Sequence, residues 1–229
     1  MRSPKPAGLL LALALWCLVS GCSTVPANTL AHHDASKWAG AIAAFAAADA
    51  TNPPPRGCIV FTGSSYIRRW TTLSADFPGR LVVNRGFGGC KLADVCAYAD
   101  RIIIPYAPRE VVFYAGGNDI DAKMPPRLVF GDFVALMNRL QQALPQTRIV
   151  FISCPPSPKR WSETAAIKEV NSDIAKYCRH HGITFVNTFA LMLDADGQPL
   201  PDIYDADRLH MNAKGYAIWR DAVSPFLNP

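Results

Sequence analysis

From residue 58 onward, short apolar runs rich in β-branched residues alternate with longer stretches in which apolar residues return every three or four positions. Runs at 58–62, 81–84, 110–114, 148–153 and 184–187 are bounded by glycine, proline or polar residues and read as strands. Residues 129–144, 162–180 and 213–226 carry the helical period. In the second of these, Ile167, Val170, Ile174 and Tyr177 form one stripe of the kind that lies on a sheet. Short β-branched runs alternating with amphipathic helical patterns predict a parallel sheet covered on both faces. The expected fold is α/β: a three-layer α/β/α sandwich with a five-stranded parallel sheet, one domain over 36–229 with no linker to divide it. At its head Trp38, Ile42, Phe45 and Ala48 repeat at helical spacing behind the candidate caps Asp34 and Ser36, and this stripe reads as core packing rather than a membrane face. Residues 52–57, with three consecutive prolines, end that helix.

A longer unbroken apolar run occurs only at the start. Arg2 and Lys5 precede apolar residues 9–19, which close on Val19, Ser20 and Gly21 before Cys22. This is similar to a bacterial lipoprotein signal with its lipobox. The likeness implies removal of the signal, residues 1–22, before Cys22, and lipid on that cysteine. With Ser23 following, it also implies a lipid-anchored protein of the bacterial cell envelope, at the outer membrane and facing the periplasm. An ordinary secretory signal or an uncleaved anchor is the alternative. Residues 23–35 then read as a polar tether. The net charge of +5 falls to +3 without Arg2 and Lys5, too weak and too scattered to argue for a nucleic-acid partner. Beyond residue 22 stand Cys58, Cys90, Cys96, Cys154 and Cys178, an odd number, of which only Cys90 and Cys96 are close enough in sequence to suggest a bridge. No CxxC or Cys/His cluster with zinc spacing is present, so no structural metal is expected.

In a parallel sheet of this kind ligands bind where the strands end, and the unusual residues collect there. The first strand ends in Gly63-Ser64-Ser65, the second in Asn84-Arg85-Gly86-Phe87-Gly88-Gly89, the third in Ala115-Gly116-Gly117-Asn118-Asp119. The last leads through a long loop to Asp207-Arg208-Leu209-His210. A serine at a strand-to-helix corner either caps the helix or faces a substrate carbonyl beside free backbone N–H groups. Acyl transfer needs such a serine, a base to take its proton, a carboxylate to orient the base, and donors for the oxyanion. His32 and His33 lie in the tether, and His180 and His181 at a helix end, which leaves His210 as the base. Asp207, three residues earlier, is within reach of its ring; the plain alternative is a surface Asp and His heading the last helix.

Together these blocks resemble the signature of the SGNH, or GDSL-like, hydrolase superfamily: GSS at 63–65, the glycine-rich turn after Asn84, GGND at 116–119 and DRLH at 207–210, in family order. The resemblance implies the flavodoxin-like SGNH fold, with Ser65 as nucleophile, Asp207 as acid and His210 as base. It also implies an oxyanion hole made of the backbone N–H groups of Ser65 and Gly89 and the side-chain amide of Asn118, and a serine esterase that needs neither cofactor nor metal. The first block departs from the family in one place, with Ser64 where aspartate is usual. That leaves Ser64 as the alternative nucleophile.

The superfamily spans lipases, lysophospholipases, thioesterases and carbohydrate acetylesterases, so the resemblance does not choose a substrate. The stretch at 153–161 should border the site, where Lys159, Arg160 and Trp161 meet an anion or a sugar face or form an ordinary loop. No long apolar lid is evident. The expected substrate is a short acyl ester, such as acetyl, on a carbohydrate or envelope component, with a lysophospholipase, short-chain lipase or thioesterase as the alternative. A non-catalytic envelope-binding lipoprotein and a thiol enzyme using Cys90 or Cys154 are the readings from other classes. Oligomeric state is not legible.

Overall fold

The computed structural model describes residues 26–227. The signal and Cys22 lie outside the described residues, and among the described residues no helix is long and apolar enough to cross a membrane.

Five strands form one sheet: β1 (Ile59–Gly63), β2 (Val82–Gly86), β3 (Glu110–Tyr114), β4 (Arg148–Ile152) and β5 (Thr184–Val186). Every pairing is parallel and the spatial order is β2-β1-β3-β4-β5. This is the flavodoxin-like order, in which the chain reverses direction between β1 and β3 and leaves a crevice at their carboxyl ends. The helices are α1 (Ala39–Thr51), α2 (Ser65–Arg68), α3 (Leu73–Asp76), α4 (Leu92–Ile102), α5 (Gly117–Asp121), α6 (Pro126–Ala143), α7 (Thr164–His180), α8 (Thr188–Leu191) and α9 (Ala213–Val223). Each sequence-read strand is present with its ends moved by no more than a residue or two. The last helix stops at Val223 and continues as a 3₁₀ turn, Ser224–Phe226.

Side chains alternate across the sheet and feed two separate aromatic clusters. On one face Phe61 and Tyr114 meet Trp70, Phe77, Tyr66 and Trp219, which packs α9 against that side. On the other, Phe113 and Phe151 meet Phe133 of α6, and Phe133 meets Tyr177 of α7. The sheet is thus sealed on both faces, and only its edges and strand ends are open to chemistry.

Residues 26–35 are not a free tether. The Thr29 backbone N–H and hydroxyl donate to the two oxygens of Asp132, at 2.6 and 2.7 Å. His33 Nε2 lies 2.6 Å from Asp94 Oδ1, and Tyr98 donates to the Ala35 carbonyl. Asp94 and Asp132 are buried on α4 and α6, where a carboxylate without donors is costly. The polar residues of the strap supply those donors, and that demand pins it to the domain.

Candidate active site

Strand β1 ends on Gly63 with φ +119, and a Cβ there would sit 1.9 Å from the Tyr114 carbonyl oxygen. Only glycine lets β1 and β3 close up at this point and turn the chain into α2. Ser64 then caps the helix in an extended conformation, its N–H donating to the Tyr114 carbonyl at 3.0 Å. Ser65 is the first helical residue, so its own N–H has no acceptor within the helix and its side chain stands at the strand end.

Facing it, His210 Nε2 lies 2.9 Å from Ser65 Oγ and His210 Nδ1 lies 2.6 Å from Asp207 Oδ2. A carboxylate only accepts, so Nδ1 carries the proton and Nε2 is left to accept from the serine hydroxyl. The Asp207 carboxyl is partly exposed, and what burial it has works to raise its pKa. The hydrogen bonds from the His210 ring and from the backbone N–H groups of His210 and Leu209 outweigh that and hold it well below the usual carboxylate range. The loop is closed by Asp205 N–H donating to the His210 carbonyl and by a bridge between Tyr204 and Met211. The buried Tyr66 hydroxyl donates to the Leu209 carbonyl at 2.5 Å. Tyr66 neighbours Ser65 in sequence, so one residue ties the base loop to the nucleophile's own helix.

The other two loops arrive beside it through strand register, Gly63 standing between Gly86 and Tyr114. After β2, Phe87 to Cys90 makes a turn with Gly89 at φ +84, its third position, which favours glycine. The Trp38 ring lies over it, 3.2 Å from where a Cβ would be. After β3, Asn118 on α5 directs its amide at the same corner, Nδ2 donating to Ser64 Oγ at 2.6 Å and to the Cys90 carbonyl at 2.9 Å. Ser64 is nearly fully buried, faces the amide rather than the histidine, and so stands apart from the Ser65–His210 contact.

The structure therefore brings Ser65, Asp207 and His210 into one hydrogen-bonded line and sets Gly89 and Asn118 on the two flanking loops. Two features carried no sequence signal of their own: the acceptor role of Ser64 toward Asn118, and the contact of Arg160 Nη2 with Asn118 Oδ1 at 3.1 Å. The thiols offer no rival nucleophile. The described cysteines are free and buried, Cys90 and Cys96 included, and burial pushes Cys154 up to about 12 and Cys90 well above its ordinary value. Between the segment Pro158–Glu163 and the loop that carries Asp207 lies a cavity of about 320 Å³, lined by Pro158, Trp161, Gln198, Tyr204, Asp205 and Arg208 among others.

Among solved structures, similar folds include a GDSL-like lipase from Bacteroides thetaiotaomicron, 22% identical with a TM-score of 0.70 over 81% of this chain and 96% of that one. Another is a lipase/acylhydrolase from Enterococcus faecalis, 18% identical, TM-score 0.58, over 75% and 97%. A third is a mutant of Axe2, an acetyl-xylooligosaccharide esterase from Geobacillus stearmophilus, 16% identical, TM-score 0.60, over 75% and 94%. At these identities the likeness is one of fold. A comparison with curated proteins finds no match. The model of the GDSL-like Lipase/Acylhydrolase family matches residues 26–218, which takes in every strand and all four loops, and the chain belongs to that family of hydrolases.

Proposed function

We propose that the protein is a serine esterase that cleaves a short acyl ester, such as acetyl, from a carbohydrate or similar envelope component. The observation that carries the reading is the unbroken line from Ser65 Oγ through His210 to Asp207. His210 takes the Ser65 proton as the hydroxyl oxygen bonds to the ester carbonyl carbon, and Asp207 steadies the imidazolium that forms. The Ser65 and Gly89 N–H groups and the Asn118 amide receive the negative charge that moves onto the carbonyl oxygen. Of the two Asn118 amide protons, the one donated to Ser64 Oγ, rather than the one held by the Cys90 carbonyl, is the one that this charge would share. Collapse expels the alcohol with the proton from His210, and water, activated by the same imidazole, then cleaves the acyl-serine.

Three observations support a short acyl group on a sugar. The cavity beside the Asp207 loop joins the Trp161 and Tyr204 rings to the polar ends of Gln198 and Arg208, the mixture that suits a sugar ring and its hydroxyls. Among the described residues the exposed large hydrophobic side chains are Leu81, Leu191 and Phe226; Leu81 precedes β2 and the Phe226 carbonyl meets Arg148 at the start of β4, both at the edge opposite the site. Leu191, on α8 after β5, is the one at the strand-end edge, a single side chain rather than an apolar patch. A similar fold, Axe2, is an acetyl-xylooligosaccharide esterase. The basic start, the apolar run and the small residues before Cys22 support a lipid on that cysteine and a place in the bacterial envelope.

The test is hydrolysis of p-nitrophenyl esters from acetate to palmitate, with fluorophosphonate labelling, on the protein and on Ser65→Ala and Ser64→Ala. Activity that falls with chain length, disappears with its label in Ser65→Ala and survives at a reduced level in Ser64→Ala is the expected result. Activity that rises toward long chains would move the substrate to lipids. An absence of both turnover and label would leave a binding protein on a hydrolase fold.

A further inference from the structure

Beside the triad stands a charged side chain that the proposed mechanism leaves without a part. Arg160, on the 3₁₀ segment Pro158–Glu163 that follows β4, is only 13% exposed at its side chain. Its Nη2 donates to Asn118 Oδ1 at 3.1 Å and to Asp121 Oδ2 at 2.9 Å, which commits both protons of that nitrogen. The opposite end of the same amide donates to Ser64 Oγ and to the Cys90 carbonyl. All the polar contacts of the Asn118 side chain are therefore specified, and they come from three separate segments of the chain.

This arrangement solves a problem inherent in an asparagine donor. The oxygen and nitrogen of a carboxamide are nearly the same size, so a half-turn about the last bond would present an acceptor to the oxyanion instead of a donor. A guanidinium has no acceptor to offer, so the amide oxygen must face Arg160 and the NH₂ group must face the Ser64 and Cys90 side. The positive charge on the amide oxygen also draws electron density from the nitrogen and strengthens its N–H as a donor. Asp121, on the same short helix as Asn118, keeps Arg160 in place.

We infer that Arg160 is a positioning residue that acts through Asn118, locking the amide with its N–H toward the oxyanion and polarising it. The role rests on the reading of Asn118 as an oxyanion donor. The hydrogen bonds of the Arg160 guanidinium go to Asn118 and Asp121 and not to Ser65 or His210, and its effect should be confined to the step in which charge develops.

The experiment is a double-mutant cycle on p-nitrophenyl acetate, reading kcat and KM separately, with the rate of fluorophosphonate labelling of Ser65 as a second readout. Arg160→Leu should lower kcat roughly 10-fold to 100-fold, within the range for weakening an oxyanion donor, and change KM less than about 2-fold. Arg160→Lys, which keeps the charge but loses the planar fork, should recover only part of the loss. In an Asn118→Ala background Arg160→Leu should cost less than about 2-fold, because no amide remains to be held. Equal losses in both backgrounds, a rise in KM with kcat unchanged, or no loss in either would overturn the role; a purely structural arginine would give the first of these. If Arg160→Leu does not fold, Arg160→Lys and Asp121→Asn carry the same cycle. A wild type that neither turns over nor labels would overturn the esterase reading and, with it, the role of Arg160, an outcome distinct from every pattern in which the wild type is active.

Discussion

Asp119 follows Asn118 directly and has no solvent exposure, yet it has one weak partner. Its Oδ1 accepts the Leu92 N–H at 3.2 Å, and its Oδ2 has no hydrogen bond. Burial is the main cause that raises its pKa from 3.8 to about 7, with the nearby charge of Asp132 adding to it and the Leu92 N–H opposing it. In the unfolded chain the group ionises near its ordinary value. Between these limits the folded protein therefore holds a proton that the unfolded chain has lost, so stability falls as pH rises from about 4 to about 7 and the full cost stands above that. At 1.36 kcal/mol per pH unit the rise amounts to about 4 kcal/mol, more than half of it between about pH 5 and about pH 8.5. Asp119→Asn removes the ionisation, keeps the oxygen that meets Leu92 and nearly preserves the volume. Urea unfolding of both proteins across that range should show the variant gaining on the wild type as pH rises, by about 2 to 3 kcal/mol, with the other titrating groups cancelling in the difference. A difference that stays flat with pH would mean that Asp119 ionises in the fold as it does in water, and the account of a buried, half-satisfied carboxylate would be wrong.

Two further substitutions test the packing that places the site. Gly63→Ala puts a methyl group 1.9 Å from the Tyr114 carbonyl oxygen at a φ of +119, so it should cost more than about 3 kcal/mol or prevent folding, as read by denaturant midpoint or soluble yield. A loss under about 1 kcal/mol would show that β1 and β3 can part there freely. Thr29→Ala removes one of two donors from the buried Asp132 and should cost about 1 to 3 kcal/mol in urea unfolding, whereas a loose tether would show no change.

The sheet was legible because a strand covered on both faces reads as a near-continuous apolar run, and 111–114 and 149–152 are read at sight from that rule. Helix α4 was less so. Its buried residues include Ala93, Cys96, Ala99 and the charged Asp94 beside Leu92 and Val95, so the stripe it lays on the sheet is not a run of large apolar side chains. The strap misled for the opposite reason. Thr29 and His33 look solvated by composition, and their partners Asp132 and Asp94 lie 103 and 61 residues away. A polar residue that answers a distant buried charge has the same local pattern as one that answers water.

The same contrast divides the site. Ser65, Gly89 and Asn118 follow strand ends where the backbone makes demands that only particular residues meet: Gly63 for the close approach to Tyr114, Gly89 and Gly116 at positive φ. Those demands punctuate the sequence, and the punctuation marks the residues that face the substrate. Asp207 and His210 are close enough in sequence for one loop to hold both. Arg160 meets Asn118 across 42 residues, from a loop in which an arginine is unremarkable. No backbone requirement announces it, since its part is to satisfy and polarise a group placed by other means. Groups that react are written in the local chain, whereas groups that orient them are selected by what the folded site leaves unsatisfied, and only the assembled loops show which amide oxygen at this site needed a cation.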